Sequence, residues 1–256
     1  MNMTNLSKIV LVLFSFFALL SGCEGTSNDI FIQDLIDKKK IKVYFNYANI
    51  EKIGIKVHNR RLRSYWIKIP IGTILSPADN NFQNMLCYTD VVEKVNPHPF
   101  SREIEIPTVC INLQKEIPDD GLEFSFHKQS KNKELNLFIK NLAELDTNCI
   151  DSITGFDSPN NSEMQAAVWI ITDNADYNEL GTLVSDGQDL IGTMFDFPPG
   201  ERVLGPRSTA IAMLLLNKCG VDVKSKRIWN DRFHVYENLE ESYRIKRLFE
   251  NFIDSN

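Results

Sequence analysis

The hydrophobic period of the chain changes once, near Lys131, and this change dictates a strand-rich half followed by a helix-rich half. Before it, Ile41-Lys42-Val43-Tyr44-Phe45, Ile53-Gly54-Ile55-Lys56-Val57 and Tyr65-Trp66-Ile67-Lys68-Ile69 follow the period of two expected when one face of a strand is buried. Further strands are expected at Ile71–Leu75, Met85–Tyr88, Glu103–Ile106, Val109–Leu113 and Leu122–Phe126, set apart by Pro, Gly, Asn and Asp clusters that make turns. Short strands at this spacing predict an antiparallel β-sandwich over residues 41–130.

After Lys131, Leu135, Phe138, Ile139, Leu142 and Leu145 share one helical stripe. A polar stretch from Ser152 to Asn161 precedes a nearly all-apolar helix from Met164 to Ile171, with Asn161 or Ser162 as its expected cap. Residues 186–206 read as a long surface loop. Ser208 is the expected cap of a further helix that Gly220 ends, and a charged helix from Leu239 to Phe252 completes the chain. The expected fold class is therefore α+β, with a helical region, residues 131–256, packed on the sandwich.

Ahead of both halves, Lys8 precedes an apolar run from Ile9 to Leu20, too short to span a bilayer, which leads into Leu20-Ser21-Gly22-Cys23. This pattern resembles the signal peptide of bacterial lipoproteins. The resemblance implies cleavage before Cys23 and a diacylglycerol thioether on its sulfur, so that residues 1–22 are a signal peptide and 23–40 an anchor and linker. It implies an extracytoplasmic, lipid-anchored protein of the cell envelope, held at the outer membrane if the organism has one. An uncleaved signal anchor or an ordinary secretory signal is the competing reading.

The formal charge of −6, one unit more negative without Lys8, argues against nucleic acid or anionic lipid as the main partner of the chain as a whole. Lys38-Lys39-Lys40 and Arg60-Arg61-Leu62-Arg63 are expected at exposed edges or turns; the first run would steady the domain on anionic headgroups if it faced the bilayer. Beyond Cys23, the cysteines Cys87, Cys110, Cys149 and Cys219 lack CxxC or other metal-ligand spacing, and the sequence leaves disulfides and buried free thiols both open. No metal or cofactor is expected.

One segment carries a sharper signal. Met164-Gln165-Ala166-Ala167-Val168-Trp169, with Asp173 shortly after, resembles the glutamine-bearing helix of thioester domains in surface adhesins of Gram-positive bacteria. The resemblance implies that a cysteine attacks the Gln165 carboxamide, releasing ammonia and leaving an internal thioester that acylates an amine on a partner. Cys110 is the preferred cysteine and Cys87 the second. The adhesin pattern differs in having a longer Cys-to-Gln separation, Thr or Ser where this chain has Met164, and a peptidoglycan anchor. Residues 164–173 also read as an ordinary buried helix.

A broader likeness, running from Ile69 through Cys110 to Trp169, is to bacterial proteins of unknown function that pair a small sandwich with a helical segment; it implies architecture and no activity. A thiol hydrolase would draw on His58, His98, His127 or His234, none of which lies in a motif that sets it beside a cysteine. Asp186, Asp189 and Asp196 suggest a calcium loop, but EF-hand spacing is missing and a solvated turn explains them. The expected function is surface binding or scaffolding at the envelope, with amine capture by Cys110 and Gln165 as its specific form. An envelope hydrolase and a purely structural lipoprotein are the alternatives.

Overall fold

The computed structural model describes residues 29–183, 202–239 and 243–255. The signal-like segment and Cys23 lie outside these residues, as does most of the proposed 186–206 loop, including Asp186, Asp189 and Asp196. No described helix is long and apolar enough to cross a membrane.

Among the described residues, nine strands precede most of the helices: β1 Ile30–Phe31, β2 Ile41–Ala48, β3 Lys52–Asn59, β4 Tyr65–Ile69, β5 Ile74–Pro77, β6 Met85–Cys87, β7 Val91–Val95, β8 Ser101–Cys110 and β9 Phe124–His127. The first described helix, α1 (Ile32–Asp37), lies between β1 and β2. Six strands form one sheet in the order β2-β3-β8-β6-β5-β9, and three form another in the order β1-β4-β7. The architecture is α+β, but the strands curl into a near-barrel instead of the expected sandwich.

The reason lies in β8. Residues 101–107 pair with β3 along one edge, whereas residues 108–110 pair with β6 along the other. A central strand that exchanges partners along its length staggers the sheet, and stagger of this kind curls a sheet towards closure. The sequence reads this strand as two, broken at Pro107-Thr108. Pro107, which has no N–H to donate, instead falls at the changeover inside one strand.

The segment expected as linker between anchor and sheet contains β1 and α1, and α1 buries Ile32 and Leu35. Gly54, on β3, lies beneath the Tyr47 ring; a Cβ there would come within 2.2 Å of the ring, so only glycine admits this cross-strand contact.

The later helices are α2 (Lys133–Glu144), α3 (Thr147–Thr154), α4 (Asn161–Thr172), α5 (Tyr177–Leu180), α6 (Pro206–Lys218), α7 (Arg232–Glu237) and α8 (Tyr243–Asp254). The helix expected at Met164 starts earlier, and Asn160 caps it: its side chain accepts from Glu163 N at 2.9 Å while Glu163 Oε2 accepts from Asn160 N at 3.0 Å. Helix α6 likewise starts before the cap expected at Ser208. Gly205 is its cap and Pro206 its first helical residue, a position where a missing N–H removes no helical bond. Gly220, at φ +79°, follows the end of α6 as expected.

Ile55 of β3, Val109 of β8, Phe138 of α2, Trp169 of α4, Ile211 of α6 and Phe249 of α8 belong to one continuous buried cluster. Helices and sheet therefore share a core. Helix α4 lies at its centre, between β8 on one side and α6 on the other, and every residue from Glu163 to Ile171 is buried.

Candidate functional site

Beyond Lys52 the β3 strand ends, so the β3-side edge of β8 from Thr108 onward needs other hydrogen-bond partners. Thr108 N donates to Glu51 O at 2.8 Å, the last contact from that side of the sheet. Helix α4 supplies the rest. Asn161 Nδ2 donates to Thr108 O at 2.8 Å. Gln165, one turn on, receives Cys110 N at 2.8 Å through Oε1 and returns Nε2 to Cys110 O at 2.8 Å.

The same helix face continues this pattern down the chain. Thr172 Oγ1 donates to Ile111 O at 2.6 Å, and Asp173 Oδ1 accepts from Leu113 N at 3.2 Å. Asn161, Gln165 and Thr172 are spaced so that they return to one side of a 3.6-residue helix. Their polar atoms replace a neighbouring strand, and the Gln165 carboxamide copies the paired N–H and C=O that two antiparallel residues exchange.

Cys110 and Gln165, singled out from the sequence, are thus brought together, through the Cys110 main chain. The thiol has a separate environment. Side chains stand away from the plane in which a strand makes its edge hydrogen bonds, and Cys110 Sγ lies 3.5 Å from Met85 Sδ. Burial pushes the Cys110 thiol far above its ordinary pKa, opposing the thiolate that nucleophilic attack requires.

Cys87, the second candidate, is buried on β6, donates to Thr89 O at 3.1 Å and is pushed up to about 12, chiefly by burial. Cys149 is half-buried on α3, and Cys219 is buried at the end of α6 with its thiol pushed up to about 11, chiefly by burial. All four described cysteines are free. None of the described hydrogen bonds joins a cysteine to a histidine: His127 meets Ser125 Oγ at 3.1 Å, His58 packs edge-on to Tyr44, and His234 packs edge-on to Tyr177. Among the described residues no group of three or more His, Cys, Asp or Glu side chains could hold a metal ion.

Sequence reasoning missed the buried acid that holds the start of α4. Glu163 is fully buried, completes the Asn160 capping box, and pairs with Arg207 of α6 at 3.1 Å. Arg207 also donates to Thr154 O at 2.9 Å, so one guanidinium links α3, α4 and α6. Burial raises the Glu163 pKa; its capping hydrogen bond and Arg207 oppose that rise. The Asn160-to-Glu163 spacing was the available signal, since Asn with Glu three residues later is a capping-box pattern.

Comparisons with protein-family models, with curated proteins and with solved structures return no match.

Proposed function

We propose that this is a lipid-anchored protein of the bacterial cell envelope, acting extracytoplasmically in surface binding or scaffolding. The observation that carries the proposal is the N-terminal pattern: Lys8, the short apolar run Ile9–Leu20, and small residues leading to Cys23. The single core shared by sheet and helices suits a preformed module, since little chain ordering would then oppose binding. The test is production of the full chain in a bacterium with labelled palmitate. Label at Cys23 and recovery in the membrane fraction, both lost in Cys23→Ala, are expected; an unlabelled chain, or a Cys23→Ala chain that stays with the membrane, would overturn the anchor.

A second reading is covalent capture of an amine-bearing partner. The observation favouring it is the meeting of Cys110 with Gln165. In that reaction the Cys110 sulfur would bond to the Gln165 side-chain carbonyl carbon, ammonia would leave, and a partner amine would later displace the sulfur. The main-chain hydrogen bonds and the raised thiol pKa favour an intact carboxamide, so non-covalent binding is the reading we adopt.

A further inference from the structure

One end of the near-barrel gathers the basic residues that the sequence scatters. The β3–β4 loop carries Arg60, Arg61, Leu62 and Arg63, the turn before β2 carries Lys38, Lys39 and Lys40, and the β7–β8 loop carries His98 and Phe100. These segments are joined: Arg60 N donates to Lys40 O at 2.9 Å, and His98 N donates to Arg61 O at 2.9 Å. Buried Asn59 holds the end together, with Nδ2 donating to Arg63 O at 2.7 Å and Asn96 O at 2.9 Å while Oδ1 accepts from Arg61 N at 2.9 Å. The tip is built, not frayed.

Its chemistry is mixed. Segments 38–40, 60–64 and 96–100 contain six Lys and Arg residues and no Asp or Glu, on a chain whose total is −6. None of these six cations forms an ion pair among the described residues. Leu62 is 88% exposed and Phe100 63% exposed beside them. An open cavity of about 450 Å³ is lined by Lys40, Arg61, Leu62, Arg63 and Tyr65, with Arg63 over the Tyr65 ring at 5.2 Å.

The chain also enters the fold from this end. Strand β1 runs parallel to β4, with Ile30 opposite Ile67, so β1 begins at the same end of the sheet as β4, the end that carries the Arg60–Arg63 loop. Five residues separate Asp29 from Cys23, a reach of about 20 Å at most. We infer that this tip is a membrane-docking surface: its cations engage the phosphates of anionic phospholipid while Leu62 and Phe100 enter the headgroup region. The inference rests on the proposed anchor for what brings the surface near. Whole-chain charge argued against anionic lipid; a local patch at the tethered end reverses that argument, because screening confines each charge's reach to about 10 Å.

The test uses the chain from Glu24 onward, which keeps every described residue and carries no lipid. It is sedimented with vesicles of phosphatidylcholine alone and of equal parts phosphatidylcholine and phosphatidylglycerol, at low and high salt. Binding to the anionic vesicles only, weakened by salt, is expected. Each basic residue at such a surface is worth about fivefold, so reversing Arg60, Arg61 and Arg63 to Glu weakens partitioning at least roughly a hundredfold. Leu62→Ser with Phe100→Ser weakens it as well, whereas Lys140, Lys218 and Lys224 reversed to Glu, exposed cations of the helical half, leave it nearly unchanged. The thermal transition of each variant reports retained folding. Absence of anionic-vesicle binding, its persistence after the arginine reversal, or equal loss in the helical-half control overturns the docking surface. An unlabelled Cys23 would withdraw the anchor while leaving the vesicle result intact, so the two failures are distinguishable.

Discussion

Gln165 is a polar residue on an almost wholly apolar stretch of helix, and both of its side-chain hydrogen-bonding groups are spent on one residue's main chain. Removing it would strand a buried N–H and a buried C=O of Cys110, each costing about 1–3 kcal/mol when unsatisfied. Gln165→Leu, close in volume and more hydrophobic, is therefore expected to destabilise the protein by roughly 2–4 kcal/mol, read as a lowered urea midpoint with an unchanged slope. A neutral outcome would mean that only volume matters at this position. The sequence brought Gln165 and Cys110 to notice as residues. It did not reveal which atoms meet, because that depends on where β3 stops beside β8, a tertiary fact with no local signature. Gln33 shows the same use elsewhere: from α1 its Oε1 accepts from Phe126 N at 3.2 Å on β9, the last strand of the six-stranded sheet.

At the scale of elements, α4 is the joint between the two halves, and its N-terminus is charged at a cost. A carboxyl whose folded pKa is raised holds its proton more tightly folded than unfolded. Its contribution to stability is therefore greatest below the unfolded carboxylate pKa and is lost as pH rises through the folded pKa. Burial puts Glu163 in that class, while Glu105, held low chiefly by its hydrogen bonds from Tyr47 and Lys52, has the opposite dependence. Comparison with Glu163→Gln isolates the buried acid. The stability advantage of the native residue over Gln is expected to shrink as pH rises from below the carboxylate range to neutral, measured by urea unfolding across that range; an advantage that grows would contradict the buried-acid reading.

Element types were readable where the period was long. The α4 helix and the strands β2, β3 and β4 follow their patterns closely. The strand β1 and helix α1 were missed because they are too short for a period to develop, and β8 was divided because proline usually ends a strand.

For the whole molecule, the sequence predicted the order of strands before helices and their packing on one another, but not the curl of the sheet. Curl follows from one strand serving two partners at different heights, and register of that kind is set by pairing across the fold. The basic tip was likewise invisible as a unit, since residues 38–40, 60–63 and 96–100 meet only after three turns close on the same end. Among the described residues, sheet and helices share one core in which a polar face of one helix, centred on Gln165, completes an interrupted sheet by hydrogen bonds. The most direct test is the intact mass of the chain from Glu24 onward under non-reducing conditions, before and after methylamine. The full mass, unmoved by methylamine, is the result expected of an intact Gln165 carboxamide held by main-chain hydrogen bonds. A mass low by one ammonia, raised by methylamine and restored to full value in Cys110→Ala, would contradict it and establish a reactive thioester.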